Sequence, residues 1–286
     1  MKSNPVSLVL TLAALGGSGE PARAQAFDHA ALDTVLALYV QDSRVDYTAL
    51  KYGRAALDRY LDRLAAVDAD EFASWPEAEQ IAYLINAYNA YVLETVVDNY
   101  PIAGSGFFKK LTSPRRFGLP ANSIRHIDGV FDRIHHGVAG AEMTLDEIKR
   151  AALGAKYNEP RIHFALVGSA VSGPPLREEA YRGDRLDEQL DEQSRRFLND
   201  PRKNRFEVER RRVYLSKIFD WHGEDFEQFA GESGYYRDTK IDGVLNFVSR
   251  YLIDRVTEFL ETEEYRVQFE SYDWTLNDQA VAASIR

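Results

Sequence analysis

The chain has 286 residues, of which 45% are hydrophobic, and this is enough to build one sizeable core. Its formal net charge of −10 argues against a broad basic surface for nucleic acid or for an anionic membrane. The sequence contains no cysteine, which excludes disulfide bonds and a thiol nucleophile.

The first 26 residues have the layout of a secretory signal peptide. One lysine precedes an apolar stretch from Val6 to Leu15, and alanines follow at positions 22, 24 and 26. The apolar stretch is too short to span a bilayer, and no later segment is long and apolar enough. We therefore expect residues 1–26 to be removed and residues 27–286 to form one exported domain, periplasmic or secreted. The alternative for the first 26 residues is a disordered tail.

The first part of the mature chain carries apolar residues at helical spacing. The spacing predicts helices within Phe27–Val40 and Thr48–Val67. A third helix opens at Trp75-Pro76 and runs to about Tyr100, before Pro101. Thr144-Leu-Asp-Glu147 is a capping box that opens a short helix.

The second part of the chain contains strand signals between helices. An apolar run, Ile162–Val167, reads as a buried strand that ends at Gly168-Ser169. The other predicted elements are a helix at Leu186–Leu198, a hairpin of Phe206–Glu209 and Arg212–Leu215, helices at Asp225–Ala230 and Gly243–Leu260, and a strand at Tyr265–Phe269. This order of elements, with helices first and strands later in the chain, predicts an α+β fold with a mostly antiparallel sheet.

Five stretches of the chain carry a family resemblance: AEQIAYLINAYNAYVL (78–93), MTLDEI (143–148), EPRIHFALVGSAVSGPPLREEAY (159–181), VYLSKIFDWHGEDF (213–226) and YDWTLND (272–278). Together they resemble the family catalogued as domain of unknown function 547. The resemblance implies a compact α+β domain with a core like that of papain-like and transglutaminase-like cysteine hydrolases. With the order of the elements, we expect a helical N-terminal part packed on a mostly antiparallel sheet.

The chain departs from this family where chemistry is expected. The resemblance implies a cysteine after the Arg-Ile-His-Phe-Ala-Leu segment and often a second one before Pro-Pro, but Gly168 and Gly173 stand there. It also implies Glu-His after the capping-box helix start, but Lys149 and Arg150 stand there. We therefore predict that thiol catalysis is lost.

The strand exit is nevertheless the best candidate site. The backbone N–H groups of Gly168 and Ser169 can form a nest that suits a carboxylate. Arg161 and His163 fall on one face of the predicted strand. A dyad of Ser169, or of Ser172, with His163 is the catalytic alternative; otherwise His163 is a buried structural histidine and Ser169 caps the turn.

Two asparagines, Asn86 and Asn89, lie one turn apart in an otherwise apolar helix. Asparagine is a poor residue for a helix interior, so either it contacts a ligand or it braces loop backbone near Gly168, and we favour the brace. The adjacent His135 and His136 point to opposite faces of an extended segment, so we predict no metal site there. No cofactor is predicted.

Three hypotheses remain open for function. The favoured one is an exported module that binds a small ligand or a peptide near Gly168, Ser169, His163 and Asn86, without thiol catalysis. The second is a serine-dependent hydrolase of amide or ester bonds that uses Ser169 and His163. The third is a structural partner domain with no cleft. None of them involves nucleic acid or a membrane-spanning segment.

Overall fold

A computed structural model of the chain describes residues 26–102, 118–154, 156–230, 239–262 and 264–283. The predicted signal peptide, apart from Ala26, lies outside these ranges. Of the helices within them, none combines the length and the apolar character that crossing a bilayer requires.

The first part of the described chain is helical. The chain turns between the first two helices through a short antiparallel pair, Val40–Gln41 (β1) and Arg44–Val45 (β2). The helices are Ala30–Tyr39 (α1), Tyr47–Tyr52 (α2), Ala55–Ala65 (α3), Ala69–Ser74 (α4) and Glu77–Asn99 (α5).

Helix α5 is the central element of this part. It begins after Pro76, as predicted, with two glutamates in its first turn where the helix dipole favours acids. Nearly every side chain from Gln80 to Val97 is buried, because the helix is surrounded by other elements. Its asparagines are therefore enclosed and must find partners inside the protein.

The second part alternates short strands and helices. Thr144 and Glu147 form the predicted capping box at the start of the helix that follows β4. The strands are His135–Val138 (β3), Ala141–Thr144 (β4), Arg205–Glu207 (β5), Arg212–Leu215 (β6) and Arg266–Phe269 (β7). The helices are Leu145–Leu153 (α6), Leu186–Leu198 (α7), Lys217–His222 (α8), Thr239–Ser249 (α9), Asp254–Thr262 (α10) and Gln279–Ala283 (α11).

The predicted hairpin and the late strand form one three-stranded sheet. Strand β6 lies in the middle and pairs antiparallel with β5 and parallel with β7. Val213 of β6 stands opposite Phe206 on one side and Val267 on the other. With the antiparallel pairs β1–β2 and β3–β4, this arrangement confirms the α+β class and the mostly antiparallel pairing.

The strand predicted at Ile162–Val167 is wrong. Residues Pro160–Phe164 form a 3₁₀ helix instead, which Pro160 begins and the Glu159 side chain caps by accepting the N–H of Arg161. Amide side chains of neighbouring helices form the hydrogen bonds that a paired strand would otherwise form. Asn89 binds the carbonyl of Ala165 and the N–H of Val167, and Gln193 binds the carbonyl of Phe164. Because no strand forms here, the prediction that Arg161 and His163 share one strand face is also wrong.

Two predicted helices also differ. Asp225–Ala230 is a 3₁₀ helix, Gly223–Phe229. The single helix predicted at Gly243–Leu260 is divided into α9 and α10, and the Asn199 side chain donates to the carbonyl of Tyr251 between them. A side-chain bond to this carbonyl satisfies a backbone group that the end of a helix leaves without a partner.

Two apolar clusters hold the described residues together. One is centred on α5, and the other joins the three-stranded sheet to α7, α8 and α9. The 3₁₀ helix Pro160–Phe164 lies against both, because Ile162 belongs to the first cluster and Phe164 to the second. Phe164 stacks on Phe197 with ring centroids 4.8 Å apart.

Candidate functional site

A cavity of about 240 Å³ opens beside Gly168. Its volume is just below the usual range for small-molecule pockets, so it suits a compact ligand or a single side chain. Aromatic rings form much of its wall: Tyr88, Phe131, Trp221, Tyr272 and Trp274. The polar and charged residues of the lining are Arg125, Asp146, Lys149, His163 and His222, and Leu166, Gly168, Pro174 and Ile218 complete it.

Gly168 is held at this cavity by the segment that precedes it. The side chain of Asn89 accepts the N–H of Val167 at 2.9 Å and donates to the carbonyl of Ala165 at 3.0 Å. A Cβ on Gly168 would meet only the Tyr88 hydroxyl, at 3.9 Å, and the glycine does not have a positive φ. A side chain at position 168 would therefore have room to enter the cavity.

Four polar side chains from four elements come together at the cavity; Lys149, His163 and His222 line its wall, and Asp225 contacts His163. His163 Nε2 lies 2.7 Å from a carboxylate oxygen of Asp225, and the His163 ring stacks on His222 with centroids 4.6 Å apart. Lys149, from α6, places its Nζ 3.0 Å from His222 Nε2. We call Lys149, His163, His222 and Asp225 the polar cluster.

Burial governs the charges in the polar cluster. Burial, together with the nearby Lys149 and His163, lowers the pKa of His222 to about 3, so this imidazole is neutral at pH 7. Burial also lowers the pKa of Lys149 and of His163, although the hydrogen bond to Asp225 opposes the change in His163. The same hydrogen bond lowers the pKa of the Asp225 carboxyl. A neutral His222 can accept a hydrogen bond from the Lys149 ammonium.

The polar cluster also contains a possible metal ligand set. One ligand atom each of His163, His222 and Asp225 lies within 4.8 Å of the others. The Lys149 ammonium, however, occupies the lone pair of His222 Nε2 and brings a positive charge to the place a dication would need. The residues therefore fit a metal poorly while Lys149 is present.

Replacing Lys149 with methionine is expected to raise the pKa of His222 markedly above about 3. Methionine keeps the bulk of the side chain but removes both the positive charge and the hydrogen-bond donor. The titration of the His222 ring can be followed by NMR. Arg150→Met is the control, because Arg150 is the next residue on α6 but is exposed. An unchanged His222 titration in Lys149→Met would contradict the described contact.

The structure does not bring Ser169 and His163 together. Ser169 is buried with φ of 51°, and the Tyr47 hydroxyl lies 2.9 Å from its Oγ and 2.8 Å from Asn277 Oδ1. The Ser172 hydroxyl accepts the N–H of Asp273. Neither serine lines the cavity, and no hydrogen bond joins either one to an imidazole of the described chain.

Asn86 and Arg161 also lie outside the cavity wall. Asn86 donates to the carbonyl of Tyr181 and accepts its N–H, so it braces backbone as Asn89 does. Arg161 forms ion pairs with Glu159, Asp187 and Asp191. These contacts give both side chains a structural role.

The positions that depart from the family pattern do not all lie at the cavity. Lys149 faces the cavity, whereas Arg150 is exposed and lies 3.9 Å from Glu147. Gly173 lies outside the cavity wall, and a Cβ there would meet the Ala170 carbonyl at 3.0 Å. Of the adjacent histidines, His135 is exposed and His136 is buried, as opposite faces of β3 require.

Sequence reasoning assigned no role in a site to Lys149, His222 or Asp225. The sequence identifies Lys149 only as a departure from the family pattern, and His222 and Asp225 only as members of a stretch that resembles the family. One signal was available: His222 and Asp225 are three residues apart around Gly223, within a stretch that carries the family resemblance. Their convergence on His163 depends on the 3₁₀ geometry of two segments, which residue patterns do not reveal.

The family comparison covers part of this site. A family described as "Protein of unknown function, DUF547" matches residues 72–198, which include α5, α6, α7 and the Gly168 segment. Five residues that line the cavity lie outside the matched segment: Ile218, Trp221, His222, Tyr272 and Trp274. Asp225, the partner of His163, also lies outside it. No curated protein and no solved structure gives a significant match. Over residues 72–198, the chain is therefore similar to the DUF547 family of proteins of unknown function.

Proposed function

We propose that the protein is a ligand-binding domain, without thiol catalysis, that holds a small molecule or a peptide group in the cavity at Gly168. The preferred ligand carries a planar apolar ring and a carboxylate. The observation that carries this proposal is an aromatic-walled cavity into which Lys149 and Arg125 bring positive charge. Aromatic faces bind planar apolar groups, and the two cations offer hydrogen bonds to an anion.

The backbone near Gly168 supports the same ligand class. Among the described residues, neither the N–H of Gly168 nor that of Ser169 donates to another protein group. These N–H groups therefore have no internal acceptor, as a nest for a carboxylate requires. The resemblance adds support, because Gly168 stands where the family's cysteine is expected.

The serine-hydrolase alternative has weaker support. It requires a general base within hydrogen-bond reach of a serine, whereas the hydroxyl of Ser169 lies with Tyr47 and Asn277. The polar cluster has an Asp–His pair, but no serine, threonine or cysteine lines the cavity beside it. The assay that separates the two functions is turnover of a panel of amide and ester substrates. Turnover that is lost in His163→Ala would contradict the binding proposal.

Benzoate and benzylamine are suitable probes because they share a ring and differ in charge. We expect benzoate to shift the NMR signals of cavity residues and benzylamine to bind about tenfold more weakly, since the two cations outnumber the one carboxylate, Asp146, in the cavity wall. Gly168→Leu should abolish benzoate binding by filling the space beside Tyr88. Lys149→Met should weaken it about tenfold, because a charge-assisted hydrogen bond is lost.

The matched control for Lys149→Met is again Arg150→Met, which removes the same charge from the exposed side of α6. It should leave benzoate binding within about twofold of the original protein, since exposed charges act weakly. Equal binding of both probes, or benzoate binding that survives in Gly168→Leu, would contradict the proposal. Export of the chain stays a prediction, to be tested by the N-terminal sequence of the protein recovered from the cell envelope.

A further inference from the structure

A second concave surface lies beside the cavity and is strongly basic. Its volume is about 470 Å³, and of the residues lining it only Pro174 also lines the cavity. We call it the basic groove. Three segments and Asn277 form it: residues 42–44 at the turn between β1 and β2, residues 170–175, and residues 195–203 from the end of α7 onward.

The charge of the basic groove is opposite to that of the protein as a whole. Its lining has two carboxylates, Asp42 and Asp200, in a chain with a net charge of −10. The cations in the lining outnumber them: Arg44, Arg195, Arg196, Arg202 and Lys203. An acidic protein that gathers cations in one concave place favours an anionic ligand there.

Three of these cations have no carboxylate partner among the described residues. Arg44 donates to the backbone carbonyl of Asp278 at 3.3 Å, and Arg196 donates to the hydroxyl of Ser43 at 2.8 Å. Both acceptors are neutral, so the charges of the two guanidinium groups are not compensated locally. Lys203 is the third.

The other two arginines of the groove are neutralised by acids. Arg195 pairs with Asp191 at 2.9 Å, and Arg202 pairs with Asp200 at 2.8 Å. They lie along the same groove as Arg44 and Arg196 but, unlike them, have carboxylate partners. They therefore provide matched controls.

Of the three groove cations without a carboxylate partner, Lys203 has the most unusual environment. The residue is only 8% exposed, and its ammonium donates to the carbonyls of Val171 and Gly173, each at 2.7 Å. Burying a cation without a counter-ion is costly, and burial lowers the pKa of Lys203 to about 8. This value includes the opposing effect of Asp200 and the lowering effect of the nearby Arg202, Arg44 and Arg196 on the pKa. Two of the three ammonium hydrogens are used by these carbonyls, which leaves one for a ligand.

We propose that Arg44, Arg196 and Lys203 form a binding site for a phosphate group of a small molecule. Two guanidinium groups and one ammonium offer hydrogen bonds that match several oxygens of a phosphate, whereas a single carboxylate has only two oxygens. The bound anion would supply the counter-ion that Lys203 lacks. This site is distinct from the cavity at Gly168 and does not depend on the function proposed for that cavity.

The test is calorimetric titration of the purified protein with inorganic pyrophosphate at low salt and pH 7. We expect Arg196→Gln and Arg44→Gln each to weaken binding about tenfold or more, because each loses a charge-assisted contact. Arg195→Gln and Arg202→Gln should change the affinity less than about threefold. Unfolding curves of all four variants establish that they remain folded.

Citrate, which carries carboxylates only, tests the chemical class. Weaker binding of citrate than of pyrophosphate supports a phosphate site, and tighter binding overturns it. Absence of pyrophosphate binding overturns the proposal outright. Equal weakening by all four arginine variants would do the same, because it would indicate a general effect of charge.

Proton uptake gives a second readout that concerns Lys203 itself. Sulfate does not titrate near pH 8, so protons taken up when it binds there come to the protein. An anion beside Lys203 raises its pKa from about 8, and binding at pH 8 should therefore take up protons. The uptake is measured from binding heats in two buffers with different ionisation enthalpies. If sulfate binds at pH 8 without proton uptake, Lys203 does not contact the anion and the proposed three-residue site is contradicted.

Discussion

Replacing Asn89 with leucine is expected to lower the free energy of unfolding by about 2–6 kcal/mol, the cost of leaving two buried backbone groups without partners. The variant removes the acceptor for the N–H of Val167 and the donor to the carbonyl of Ala165. Both groups belong to the segment that leads to Gly168. The loss of stability is measured by urea unfolding, and benzoate binding should be lost as well.

The control for this variant is Asn99→Leu. Asn99 lies at the end of the same helix and is exposed, and its side chain donates to the carbonyl of Thr95 one turn earlier. Its replacement should cost less than about 0.5 kcal/mol, as is usual at exposed positions. Equal effects of the two variants would show that Asn89 matters only as a helix residue and does not hold the cavity segment.

Acidification is expected to destabilise the protein through His29. The ring is 1% exposed, and burial lowers its pKa to about 3, with Arg182 and Arg63 acting in the same direction and Asp28 opposing them. The Tyr60 hydroxyl lies 2.8 Å from Nδ1 and the Asn86 amide nitrogen 3.2 Å from it, so protonation of Nδ1 would disrupt these contacts.

The direction of the effect follows from proton binding. Because the pKa of His29 is lower in the folded state than in the unfolded state, the unfolded chain binds more protons at acid pH. The contribution of His29 to the free energy of unfolding is complete above about pH 6.5. It decreases as the pH falls toward 3, at about 1.4 kcal/mol per pH unit. At pH 5 the loss is about 2 kcal/mol. The buried His136 and His163 add to it, and Glu94, whose pKa is raised to about 7, opposes it.

His29→Gln isolates this contribution. Glutamine does not titrate and can keep a hydrogen bond to Tyr60 or to Asn86. Urea unfolding of both proteins at pH 7 and pH 5 should show a smaller loss of stability in the variant, by about 2 kcal/mol. The same pH dependence in both proteins would mean that His29 is protonated equally easily in the folded and unfolded states.

Local signals in the sequence predicted the elements that depend on local contacts. The capping box of Thr144 and Glu147 and the helix start at Pro76 are present as expected, and so are the hairpin at 205–215 and the strand that ends at Phe269. Each of these rests on side chains close in sequence. A capping residue or an alternating pattern carries its information within a few positions.

The errors arise where distant residues decide the backbone. The run Ile162–Val167 is as apolar as a buried strand, but amide side chains of α5 and α7 bind its backbone and favour a 3₁₀ helix and a turn. A short apolar run does not distinguish the two. For the same reason the prediction of a site near Gly168 could not include His222 and Asp225, which reach it from more than fifty residues away.

The position of Ile162 and Phe164 in different apolar clusters limits how the cavity can admit a ligand. A hinge motion that separated the clusters would uncover both side chains and the ring stack on Phe197, so rigid-body opening is disfavoured. Trp221 is 44% exposed and lies at the cavity wall. Rotation of this indole is a smaller rearrangement than separation of the clusters, and we therefore expect the cavity to widen by side-chain rotation and not by hinge motion.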